Sequence, residues 1–298
     1  MPDTFFTVAP HWQWLVILYL FVGGLAGGAY FIAALIDLVG RRADQPLARL
    51  GYYVAFPAII LGAIFLTLDL TRPERFWHML IQSETGWPMF KWWSPISIGS
   101  WAITLFGALA GLSFFGTLAE DGYLRWAPAL NLRRGVLGRL ISVLGGFFGF
   151  FVAGYTGVLL TVTNRPIWAD TNFLGLLFLL SGASTAIATI VLLGQRRGVA
   201  APESVHRLSS MDSWVMWLEL LVLVALVVSL GRVAQVLLSG WGVLLLVGVV
   251  LLGILVPLVL HRRSLQPGGL GATTAAAALV LLGGFLLRVV VVLSSEGV

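Results

Sequence analysis

Along this chain the polar residues are gathered into segments that separate eight long apolar runs, at 14–39, 47–70, 96–118, 136–162, 173–193, 213–231, 241–260 and 275–294. About 20 apolar residues in a row are what an α-helix needs to cross the hydrocarbon core of a bilayer. The pattern therefore predicts an all-α integral membrane protein with eight transmembrane helices. Most connections are short, so sequential helices are expected to pack as antiparallel neighbours in one membrane domain over 1–298. Two segments stand apart, a short polar lead over 1–13 and a long loop over 71–95. The first run is too long, and has too few basic residues ahead of it, for a cleaved signal, so it is expected to stay as the first span.

Composition agrees: 59% of residues are hydrophobic and 10% charged, against about 25% charged in a soluble domain. The net charge of +5 matters through its placement. The loops after the first, third, fifth and seventh runs and their flanks carry twelve basic residues, from Arg41 to Arg263, whereas the opposite side carries five. The positive-inside rule then places both termini outside, and the charge speaks for topology rather than for nucleic acid. With no cysteine, the chain is expected to hold no thiolate iron–sulfur cluster. His11, His78, His206 and His261 stand at or beyond the ends of the runs, where they do not suit the axial ligands of a membrane haem.

The loop over 71–95 holds Trp77, Trp87, Trp92 and Trp93 among charged residues. Such a segment forms an interfacial aromatic belt, and equally a lid or a platform for a docked subunit. Glycines at spacings of four, as at Gly23 and Gly27, predict close helix packing, and Pro57 predicts a kink in the second helix.

Polar residues inside the runs are the chemical candidates, because lipid makes them costly. Tyr19 and Tyr155 both fall in the outer half of the bilayer, and a phenol donates well to a carbonyl oxygen. Asp69 ends the second run close to Arg72, and Arg288 lies deep in the eighth. A buried cation needs a partner, and Asp69 is the one expected for Arg288. Glu219, Asp212 and Asp37 approach from the inner side and together suggest an inner route for protons.

Four segments, 19–28 (YLFVGGLAGG), 68–73 (LDLTRP), 154–157 (GYTG) leading to 164–168 (NRPIW), and 283–288 (GGFLLR), resemble the polysulfide reductase membrane-anchor family of the NrfD/PsrC type. The resemblance covers nearly the whole chain. It implies two four-helix bundles in a bacterial or archaeal cytoplasmic membrane and a haem-free subunit that reacts with menaquinone or ubiquinone. It implies as partners a ferredoxin-like subunit with four iron–sulfur clusters and a molybdopterin catalytic subunit. By matching motif, quinone contact falls on Tyr19 and Tyr155, with His11, Gln13, Asn164 and Arg165 beside them; Asp69, Arg72 and Arg288 set the field. Where some members carry an Asn, one turn before Tyr19, this protein has Val16, so one hydrogen bond to the quinone is expected to be either missing or supplied by Gln13. The rival expectation is a secondary transporter or channel with Asp69, Arg288 and Glu219 lining its path; a third is a purely structural anchor.

Overall fold

The computed structural model describes residues 12–264 and 270–297. Eight helices among them are long and apolar enough to span a membrane: α1 (Trp14–Val39), α2 (Gln45–Asp69), α3 (Pro95–Glu120), α4 (Gly135–Thr161), α5 (Leu174–Arg196), α6 (Pro202–Ser229), α7 (Gly240–His261) and α8 (Leu270–Leu293). The chain is a multi-pass membrane protein. Pro57 lies inside α2, which continues past it. Helix α6 begins well before the apolar run at 213, because its first turns carry Glu203, His206, Arg207 and Asp212. Hydropathy registers the part that suits lipid, whereas the backbone stays helical through the polar part. Within α7, Leu244–Leu255 winds as a π-helix, and Gly253 rests on Gly283 of α8.

Helix α1 packs most extensively against α2 and α4, and α3 closes this first bundle against α2 and α4. Helices α5 to α8 form the second, and α1 and α5 make the seam between them. The seam depends on missing side chains. A Cβ on Gly28 would come 2.5 Å from the Gly182 carbonyl oxygen; within the first bundle, one on Gly27 would likewise overlap the Gly149 carbonyl of α4. The glycine pattern therefore serves the close packing expected of it.

Below, the terminal face is the end where α1 begins and α8 finishes; the arginine-rich face is the other. At the arginine-rich end of the first bundle, Arg133 pairs with Asp37 and Glu120, each at 3.0 Å. Tyr52 donates to Asp37 at 2.7 Å, and the guanidinium lies 4.5 Å from the Tyr52 ring centre. Burial alone would lower the Arg133 pKa, but Asp37, Tyr52 and Glu120 raise it above its ordinary value.

Candidate functional site

A cavity of about 310 Å³ opens at the terminal face of the first bundle, walled by α1, α2, α3 and α4. Its lining is mostly apolar and includes Val16, Leu66, Ile103 and Leu159. Apolar walls with a few placed polar groups are what a flat organic ligand entering from lipid requires. The loop after α2 roofs it: Pro73–Met79 winds as a 3-10 turn, and Phe76, Met79 and Leu80 face the cavity. Trp77, Trp87, Trp92 and Trp93 of the same loop point outward, exposed. The segment is therefore a roof on one side and an aromatic surface on the other.

Both candidate tyrosines line this cavity. Tyr19 lies five residues into α1, about 8 Å along the axis, and is fully buried. Among the described residues its hydroxyl has no hydrogen-bond partner. Tyr155 approaches from α4 and donates to the Pro95 carbonyl at 2.7 Å, while its ring stacks on Phe151. Room for that ring exists because residue 99 is glycine; a Cβ there would overlap the phenol. The other hydroxyls of the lining are occupied: Thr67 donates to Ala63, Ser100 to Ile96 and Thr104 to Ser100. Tyr19 is thus the donor left over, and a buried polar group without a partner is costly. Asp69 also lines the cavity; its carboxylate is exposed and forms no ion pair among the described residues.

Several expectations need correction. Arg288 does not meet Asp69. It is fully buried in the second bundle, where Nη1 donates to Ser181 Oγ at 2.6 Å and to the Gly284 carbonyl at 2.7 Å, and Nη2 to the Phe178 carbonyl at 3.3 Å. Its acidic neighbour is Glu219. Asp37 does not join Glu219 and Asp212, because Arg133 and Tyr52 hold it in the other bundle. Gln13 is exposed at the α1 N-terminus, outside the lining, and Val16 faces the cavity in its place. Asn164 is exposed, and Arg165 donates to the Ser295 carbonyl at 3.4 Å, tying the α4–α5 loop to the end of α8. Arg72 is exposed and heads the roof turn. His11 lies outside the described residues. The path expected of a transporter is divided, since Asp69 lines the cavity whereas Arg288 and Glu219 belong to the other bundle.

The model of the family described as polysulphide reductase, NrfD, matches residues 4–296. The chain belongs to that family. Similar proteins include the protein NrfD of Escherichia coli, 29% identical over 89% of this chain and 88% of that one. Another is a polysulfide reductase chain from Wolinella succinogenes, 28% identical over 84% and 82%. A selenate reductase subunit from Mesobacillus selenatarsenatis matches a shorter stretch, at 26% over 32% of this chain and 20% of that one. Eight spans and this membership identify the protein as an NrfD-type membrane subunit.

Proposed function

We propose that this NrfD-type protein is the quinone-reactive membrane subunit of a respiratory reductase complex, and that the cavity at the terminal face receives the quinone headgroup. The observation that carries this is the unpartnered, fully buried Tyr19 hydroxyl facing a mostly apolar cavity opposite Tyr155. A bound quinol supplies two electrons and two protons. Tyr19 donates a hydrogen bond to a headgroup oxygen. Tyr155, whose proton is engaged by Pro95, offers an oxygen lone pair or turns to donate. Asp69, at the exposed edge of the cavity, exchanges protons with the water on the terminal side. Phe76, Met79 and Leu80 keep bulk water off the site. The quinone is menaquinone or ubiquinone.

The positive-inside distribution favours a terminal face on the outside, and the partner docks there, over the exposed tryptophans of the 71–95 loop. Its expected form is an iron–sulfur subunit that links the site to a molybdopterin catalytic subunit. Two relatives are named as parts of polysulfide and selenate reductases, which supports assembly of this kind.

Binding of menadione and decylubiquinone to the purified protein in nanodiscs, followed by tryptophan fluorescence quenching, tests the site. One lost hydrogen bond of about 0.5–1.5 kcal/mol corresponds to roughly 2- to 12-fold weaker binding in Tyr19→Phe. Wild-type affinity in both Tyr19→Phe and Asp69→Asn would remove the headgroup from this cavity.

A further inference from the structure

The second bundle carries a string of buried polar side chains that play no part in the quinone cavity. At the arginine-rich end, a second cavity of about 450 Å³ is lined by His206, Ser209, Ser213, Trp214 and His261. His261 Nδ1 lies 3.3 Å from Ser213 Oγ, and its Nε2 lies 3.8 Å from Asp212 Oδ2. Asp212 is buried, and among the described residues its other oxygen has no hydrogen bond of ordinary length. Ser184 of α5 stands beside it, with its hydroxyl within reach of the Asp212 carboxyl. Two helical turns further along the same face of α6 comes Glu219, buried and next to Ser181. Ser181 Oγ accepts from Arg288, so its own proton is available to Glu219. The string stops there. Arg288 packs on Gly24 of α1, whereas the adjacent Gly23 packs on the Tyr19 ring.

The first bundle shows what a structural network looks like. Asp37 is bonded to Tyr52 and Arg133, and Tyr30 bonds to Ser113 and the Ile141 carbonyl. The fully buried Phe106, Val152 and Ile59 share one apolar cluster with Tyr30 and Tyr52. The string in the second bundle differs in that, among the described residues, no lysine or arginine stands within ion-pair distance of Asp212 or Glu219, whereas Arg133 pairs directly with Asp37. Carboxyls in series inside a membrane bundle are a usual sign of a proton relay.

We propose that Asp212, Ser184, Glu219 and Ser181 form a proton half-channel that opens to the arginine-rich side at His261 and ends at Arg288. A proton from water in the mouth passes to the Asp212 carboxylate, and from that carboxyl through the serine hydroxyls to Glu219, each hydroxyl accepting one proton as it releases another. The fixed charge of Arg288 repels any further step, so the relay loads without leaking toward the Tyr19 cavity. What drives its emptying rests on the quinone assignment; the loading does not.

Infrared spectra of the reconstituted protein during H2O-to-D2O exchange test the loading. They are to be recorded across the acid range so that each carboxyl is seen in its protonated form. The carbonyl band lost in Glu219→Gln should shift promptly in the wild type and at least about tenfold more slowly in His261→Phe and in Ser184→Ala, whereas the band lost in Asp212→Asn should slow in His261→Phe alone. Two variants at separate points of the string guard against misfolding of either, and size-exclusion profiles check both. Absence of exchanging bands, or equally fast exchange in both variants, overturns the half-channel. Menadione affinity in Glu219→Gln should match the wild type. Failure of the wild type to bind menadione would refute the quinone assignment while leaving the exchange result to stand.

Discussion

Gly99→Ala asks whether the cavity wall is as tight as its geometry implies. The added methyl would lie inside the 3.0 Å that real Cβ contacts respect, against Cζ, Oη and Cε1 of Tyr155 at once. The ring must retreat by roughly 1 Å to restore ordinary contact. Phe151, stacked on the ring at 5.9 Å between centres, restricts that movement, and the bond to Pro95 breaks as the phenol swings. Overpacking costs about 1–3 kcal/mol and the lost hydrogen bond about 1 kcal/mol, so the variant should be less stable by roughly 2–4 kcal/mol. Reversible unfolding in mixed micelles measures this, and menadione titration should show weaker binding. In a Tyr155→Ala background the same glycine change should cost close to nothing, because the colliding ring is gone, while binding stays impaired. Neighbouring sites that clash are expected to be non-additive in this way. Wild-type stability and affinity in Gly99→Ala, or an equal cost with and without the Tyr155 ring, would refute the packing described for this wall.

Three further outcomes are expected. Tyr155→Phe should keep the fold and lose quinol-linked turnover, measured as quinol oxidation by the assembled complex; unchanged turnover would move the reacting headgroup away from this phenol. Arg133→Gln leaves Asp37 and Glu120 without their shared cation and should destabilise the protein by about 3–5 kcal/mol. Because the Arg133 pKa is raised, its contribution is fully present below the ordinary arginine value and is lost only as pH rises through the still higher folded value; the deficit in denaturant unfolding should therefore be flat across neutral pH. Gly28→Val forces a side chain against Gly182 and Ala186 and should cost at least about 1–3 kcal/mol, seen as earlier unfolding in mixed micelles, with the α1–α5 seam opening first to proteolysis.

The eight spans were legible because the cost of placing charge in lipid outweighs every other influence on where polar residues fall. Depth along a helix was legible too: Tyr19 and Tyr155 line one cavity, and both lie a few turns from the helix ends at the terminal face. Direction around a helix was not. Asp69 and Arg288 read as partners because both are ionisable and costly in lipid, yet they belong to different bundles. The groups that hold Arg288 are a serine hydroxyl and two backbone carbonyls, which leave no mark in composition. Gln13, Asn164 and Arg165 stand at the right end of the molecule but turn elsewhere. Phe76, Met79 and Leu80 were hidden among the tryptophans of their loop, since only the turn at Pro73–Met79 aims them inward. Gly99 gave no signal at all; its role depends on a ring that arrives from α4, the span that follows its own.

Helix α1 touches both bundles, with Gly23 turned toward Tyr19 and Gly24 toward Arg288. One residue of register, about 100° of rotation, divides the two chemistries. The halves are consequently not interchangeable modules. If the protein were cut in the loop before α5 and expressed as two fragments, the second fragment would lack the wall that covers Arg288 and the face of α5 at Gly182. It would be expected to need the first fragment for assembly, and an insertion of one residue in α1 between Tyr19 and Gly23 would scramble both sites at a stroke.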